Sequence, residues 1–207
     1  MRAAKAAGSR KSSRGKLFRI KVISMGEQAT GKSCLIKRYC EDKFIQKYIP
    51  TIGVDYGVKP VRLGDYELRV NLWDLAGAGD YIEVRNEFYK DAQGCLLVYD
   101  VTSRASFEAL PAWLQEAKDC GAEHMVIIVA ATKADNPTRR VTEKEGRDWA
   151  AAMGFPFFEV SASSGMGVRS LFSTLFARML ATIPGIPQEM AAQAVQSANA
   201  AREEEGL

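Results

Sequence analysis

Gly26, Gly31, Lys32 and Ser33 complete the spacing G-x-x-x-x-G-K-S within LFRIKVISMGEQATGKSCLIKRYC, residues 17–40. An apolar run suited to a strand ends at Met25 and a helix-forming segment opens at Lys32, the flanks this motif requires. Glycines let backbone N–H groups turn inward around a phosphate, and the helix behind them adds the positive end of its dipole. Gly26, Gln28, Ala29, Thr30, Gly31, Lys32, Ser33 and Cys34 are therefore assigned to a phosphate-binding loop. Lys32 reaches toward β and γ phosphates, and the Ser33 hydroxyl takes a place on Mg²⁺.

Three further signals lie at the ends of apolar runs. Asp74 closes YELRVNLWD and precedes Leu75-Ala76-Gly77, a place where a carboxylate holds Mg²⁺ directly or through water. Gly77 has no side chain to obstruct its N–H from approaching a γ-phosphate. Thr132-Lys133-Ala134-Asp135 follows the run that ends at Ala131, and Ser161-Ala162-Ser163 follows FPFFEV. A carboxylate at Asp135 accepts two parallel hydrogen bonds from guanine, whereas adenine leaves it unpaired. The base is thus expected to be guanine, which argues against a kinase or ATPase built on the same phosphate loop.

These residues need a scaffold that brings four strand ends to one edge. The pattern predicts strands at the start of the chain, in a hairpin TIGVDYGVKPVRL/YELRVNLWD turning at Gly64-Asp65, at CLLVYDV, over 125–131, and at FPFFEV. Helical spacing is expected after Lys32, through EVRNEFYK, from Ala105 to Asp119, from Glu143 to Met153 and from Val168 to Thr182. Alternating strands and helices predict an α/β fold with a six-stranded, mostly parallel sheet, one antiparallel strand from the hairpin, and helices on both faces. In open sheets of this kind ligands bind beyond the carboxyl ends of the strands.

The 207 residues suit one domain with terminal extensions, and 47% hydrophobic content is enough for a real core. Net charge is only +3. Even so, Arg2, Lys5, Arg10, Lys11, Arg14 and Lys16 make residues 1–16 a basic arm, expected to be disordered and without a specific nucleic-acid partner. Four cysteines show no metal-ligand spacing and are read as reduced thiols of a cytosolic chain, with the nucleus or a membrane periphery left open. No prenyl or myristoyl signal is written into the sequence as given. Pro184 and Pro187 bound a linker, after which QEMAAQAVQSANAAREEE reads as an Ala-rich helix within 184–207. Its apolar stripe is small, so a loosely held or projecting helix is expected rather than a docked one.

The combination of GEQATGKS, YIPTIGVDY, WDLAG, TKAD and SAS resembles the small GTPases of the Ras superfamily, nearest the Rab branch, over about residues 17–183. RIKVISMG, IKRYC, TIGVDYGV and YIEVRNEFYKD are similar to the Rab-like GTPases, the RJL family, that in many members continue into a C-terminal DnaJ domain. The resemblance implies a P-loop small G domain binding GTP or GDP with Mg²⁺ as a monomeric switch. It implies that Phe44 lies against the guanine with the Lys133 stem over its face, that Ala162 gives the base a backbone N–H, and that Tyr48, Thr132, Ser161 and Ser163 join the nucleotide site. Thr51 would join Ser33 and Asp74 on the metal only with GTP. Tyr56, Trp73 and Phe88 match an aromatic trio that Rab proteins show to effectors, and ordinary core packing explains them equally well.

Departures from that pattern carry information too. The family's glutamine after the second-switch glycine orients the attacking water. Ala78 stands there, and a methyl group neither accepts from water nor donates to developing charge. No catalytic residue is therefore intact, and hydrolysis is expected to be very slow. Gln28 either crowds an incoming arginine finger, the favoured reading, or touches the water itself. Thr132 replaces a commoner asparagine but keeps a hydroxyl. Ser163 replaces a lysine and removes a contact near the base.

Overall fold

The computed structural model describes residues 16–206. The basic arm lies outside the described residues except for Lys16, which opens the first strand instead of closing the arm and pairs with Tyr66. Six strands form one sheet: β1 (Lys16–Met25), β2 (Val54–Leu63), β3 (Tyr66–Leu75), β4 (Gly94–Asp100), β5 (Val126–Thr132) and β6 (Phe157–Glu159). Their order is β2-β3-β1-β4-β5-β6, and only the β2/β3 hairpin is antiparallel. This is the sheet expected of a small G domain. Pro60, which has no N–H for a ladder, sits in the edge strand β2, where it is tolerated.

Among the described residues seven α-helices surround the sheet: α1 (Lys32–Glu41), α2 (Ile82–Tyr89), α3 (Arg104–Glu108), α4 (Leu110–Asp119), α5 (Glu143–Ala152), α6 (Val168–Thr182) and α7 (Gln188–Glu205). Alternate residues of the central strands divide the core in two. Leu96, Val98, Ile128 and Ala130 face a layer that includes α1, α6 and α7, whereas Cys95, Leu97, Val129 and Ala131 face α2, α4 and α5. Both faces are covered, so β4 is buried along its whole length, as its unbroken apolar run requires. The segment from Ala105 to Asp119 is two helices, not one. Pro111, in the first turn of α4, cannot donate to a carbonyl four residues back, and the chain restarts there.

The expectation for α7 is corrected. Met190, Ala194, Ala198 and Ala201 are buried, and α7 packs along α6 and against β2. The amide of Gln193 lies where a side chain at Gly64, in the hairpin turn, would have to sit. An alanine stripe buries little area per residue, but it lets two helices approach closely enough for continuous dispersion contact.

Candidate nucleotide site

The ends of β1, β3, β5 and β6 converge on a cavity of about 410 Å³. Its floor is the phosphate loop. Gly26 takes φ +140°, and a side chain there would run into the carbonyl of Val98; Gly31 takes φ +92° and caps α1 with no side chain of its own. Ala29 also adopts a left-handed φ of 60°. The first amides of α1 therefore open toward the cavity, which Gln28, Ala29, Gly31, Lys32, Ser33 and Cys34 line.

Lys32 is only 5% exposed. Its ammonium donates to the carbonyls of Gly26 at 2.7 Å and Glu27 at 3.0 Å, acceptors of the kind that phosphate oxygens would supply. Burial pushes its pKa down to about 8, against the opposing pull of Asp74 and Glu27.

Three oxygens gather beside it. The Ser33 hydroxyl donates to Asp74 Oδ2 at 2.5 Å, and the Thr51 hydroxyl lies 2.9 Å from that of Ser33 and 3.2 Å from the same carboxylate oxygen. Asp74 Oδ1 accepts from Ser24 at 2.8 Å, which fixes the carboxylate from behind. Among the described residues no cluster of three His, Cys, Asp or Glu side chains forms. One carboxylate with two hydroxyls is a hard, oxygen-only set of the sort Mg²⁺ accepts when phosphates and waters complete its shell, so Ser33, Thr51 and Asp74 fit that ion. Ser24 was not singled out from the sequence. The signal was its place: it pairs in register with Asp74 across β1 and β3.

The far end of the cavity is lined by Thr132, Lys133, Asp135, Ala162 and Ser163. The Thr132 hydroxyl sits 2.5 Å from the carbonyl of Thr30 and 3.0 Å from that of Tyr99, tying this base loop to the phosphate loop. Lys133 takes φ 58° and sends its ammonium to Ala29 O at 2.9 Å and Asp100 at 2.6 Å, so its stem lies along the cavity wall. The Asp135 carboxylate makes no hydrogen bond or ion pair among the described residues and is exposed at the cavity. Arg38 of α1 holds the carbonyls of Ala162 at 2.7 Å and Ser163 at 2.9 Å.

Phe44, Tyr48 and Thr51 form the third wall with the chain between them. Gly26, Thr30, Asp74 and Ser161 stand behind the surface and shape it. Ser161 is fully buried and its hydroxyl accepts from Ser164 N at 3.0 Å. Lys37, Tyr81 and Asn136 line the cavity without having been anticipated. Lys37 lies one helical turn beyond Ser33, a spacing that could have revealed it.

The segment after β3 closes the site. Gly77 lies so close to the phosphate loop that a side chain there would come within 2.3 Å of Gln28 N. Ala78 lines the cavity beside Tyr81, and a methyl group is all the side chain it has. On the outer face Tyr56, Trp73 and Phe88 form a row with ring centroids 4.5 and 4.9 Å apart, and Tyr56 is half exposed.

Comparison with known proteins agrees with this geometry. The family model described as "Ras family" matches residues 21–181. The chain is 51% identical over 167 residues to DnaJ homolog subfamily C member 27 of Danio rerio, covering 78% of this chain and 61% of that protein. The Homo sapiens protein of the same name is 51% identical over 168 residues, covering 78% and 62%. DnaJ homolog subfamily C member 27-B of Xenopus laevis is 49% identical over 180 residues, covering 83% and 65%. The chain thus spans a little over three-fifths of the length of these relatives, whose name matches the expected likeness to Rab-like proteins associated with a DnaJ domain. With the matched model covering the sheet from residue 21 onward and every loop of the cavity, the chain belongs to the Ras family.

Proposed function

We propose that this protein is a GTP/GDP-binding, Rab-like switch whose intrinsic hydrolysis is impaired. The observation that carries the proposal is the methyl group of Ala78 in the cavity wall beside Gly77. Ser33, Asp74 and, with GTP, Thr51 would hold Mg²⁺, which would supply neutralisation of the phosphate charge. Lys32 and the opening amides of α1 bind the phosphates, and Asp135 selects guanine. No side chain at position 78 orients water toward the terminal phosphorus, so the chemical step loses its positioning group while binding survives.

Single-turnover hydrolysis tests this. Ras without assistance turns over at roughly 3–5 × 10⁻⁴ s⁻¹; this protein is expected to be slower, and Ala78→Gln faster than the native chain. Hydrolysis at the Ras rate with no gain from Ala78→Gln would overturn the proposal. GTP occupancy then depends on exchange or on an accessory protein. Effectors are proposed to read the first switch together with Tyr56, Trp73 and Phe88, and the setting is proposed to be cytosolic.

A second reading treats the nucleotide as a fixed structural ligand and the domain as a scaffold, presenting a DnaJ domain of the kind named in its relatives. Arg85 favours it, because its guanidinium holds the carbonyls of Ala78 at 2.8 Å and Ala76 at 3.3 Å and so restrains the second switch. Equal partner binding with GDP and with a GTP analogue would select this reading.

A further inference from the structure

We infer that the last turn of α7 is a brace for the base loop and sets how long the site retains its nucleotide; this rests on the guanine-nucleotide reading above. The base loop, residues 161–167, is bounded by β6 on one side and by the start of α6 on the other, and α7 takes hold of both. Before the loop, the Arg202 guanidinium lies 5.2 Å over the ring of Phe158. After it, the two carboxylate oxygens of Glu205 accept from Arg169 N at 3.3 Å and Ser170 N at 3.1 Å, while Glu204 pairs with the Arg169 side chain.

The carboxylate of Glu205 does for α6 what a capping side chain does elsewhere. The N-cap residue of α6 is Gly167, at φ 70°, which has no side chain to offer the first-turn amides. An acidic group at that end also meets the positive pole of the helix. The cap connects directly to the cavity. Ser161 N donates to Met166 O at 3.0 Å, Gly165 N to Ser161 O at 2.8 Å, and Val168 N to Gly165 O at 3.3 Å, so the loop and the first turn of α6 are one hydrogen-bonded unit. Ala162 and Ser163, at the tip of that unit, line the cavity. Loosening the first turn of α6 lets the tip move, and the base loses its backbone contact.

The test is release of a fluorescent GDP and a fluorescent GTP analogue from the full chain. Glu205→Ala is expected to speed release of both by the same factor, about three- to tenfold, the fold-change in opening of the first turn that the loss of a typical helix cap corresponds to. Glu205→Gln keeps one of the two acceptor oxygens and is expected to fall between. Chelating Mg²⁺ should multiply each rate without changing their ratio, because the brace acts at the base end. Amide exchange over 161–167 should rise in Glu205→Ala. Met190→Ala, at the other end of α7, controls for general loosening. Release unchanged in Glu205→Ala, or accelerated no more than in Met190→Ala at equal loss of melting temperature, would overturn the brace alone. A chain that captures no guanine nucleotide would overturn the proposed function and the brace with it.

Discussion

The indole N–H of Trp113 donates to the carboxylate of Glu27 at 3.0 Å, which sets a side chain of α4 directly on the phosphate loop. The face of that indole carries Arg85, 4.4 Å from the ring centroid. Arg85 in turn forms a two-point pair with Glu116, at 2.6 and 2.7 Å, and Tyr89 donates to the same carboxylate at 2.7 Å. Phosphate loop and second switch are therefore held from α4 by one connected set of side chains.

Breaking that set from one side should be costly. Arg85 and Glu116 are 5% and 16% exposed. Burial works against both charges, but their mutual hydrogen bonds outweigh it, raising the pKa of Arg85 and lowering that of Glu116. Glu116→Ala strands a buried guanidinium and is expected to destabilise the fold by about 3–5 kcal/mol. Arg85→Met combined with Glu116→Leu removes both charges and should recover most of it. Urea unfolding of the three chains decides the matter: a double variant as unstable as the single one would mean the pair stabilises by more than mutual neutralisation.

Gly77 gives a second, purely steric prediction. A methyl group there meets Gln28 N at 2.3 Å, Glu27 C at 2.5 Å and Gly26 O at 2.6 Å, all backbone atoms that cannot step aside. Gly77→Ala should force the second switch off the phosphate loop, at a cost of about 1–3 kcal/mol. The expected readout is a lower unfolding midpoint together with faster amide exchange at 76–80. Unchanged exchange would show that this contact does not hold the switch.

The protonation of Lys32 should make nucleotide binding pH-dependent, with a sign that can be worked out. Its pKa is lowered from 10.5 to about 8 in the free site. A bound phosphate keeps the ammonium charged, so the complex holds a proton that the free protein has lost above pH 8. Affinity should therefore fall as pH rises, by roughly tenfold at pH 9 relative to pH 7. The free fold moves the opposite way: unfolded lysine keeps its proton up to about 10.5, so this group's burial penalty is relieved between about 8 and 10.5. Calorimetry in buffers of different ionisation heat should find close to one proton taken up per nucleotide at pH 9. No uptake there would place the pKa of Lys32 near its ordinary value.

Much of this site was legible because its chemistry is local. Gly26, Gly31, Lys32 and Ser33 sit in eight consecutive residues, Asp74 ends one apolar run and Asp135 stands four residues beyond another, and neither signal depends on distant partners. The residues that escaped notice act through contacts remote in sequence. Ser24 meets Asp74 across 50 residues, Trp113 meets Glu27 across 86, and Arg38 meets Ala162 across 124. Nothing in the local pattern of α4 distinguishes Trp113 from an ordinary core aromatic. α7 misled for a related reason. Its alanines predict little buried area, and the groups that fix its far end, Glu204 and Glu205, look like a solvated acidic run until the start of α6 is seen beneath them. Pro111 marks the break at Ala109 in the sequence, but the apolar period continues across it and masks the break.

One cost in the α6/α7 layer remains open to direct test. Ser170 and Thr174, one turn apart on α6, are 0% and 8% exposed, and neither hydroxyl finds a partner among the described residues. A buried hydroxyl left unpaired costs about 1–3 kcal/mol in mutational data. Ser170→Ala keeps the backbone N–H that Glu205 caps and deletes only the orphan oxygen, so it should stabilise the chain by about 1 kcal/mol, or about 2–4 °C in melting temperature for a chain of this size. Thr174→Val should act in the same direction. Thr182→Ala provides the contrast, because that hydroxyl donates to Met179 O at 3.0 Å and its loss offers no such gain. If Ser170→Ala instead lowers the melting temperature, the hydroxyl is bonding a carbonyl of the preceding turn in solution, and the first turn of α6 is held by its own side chain as well as by Glu205.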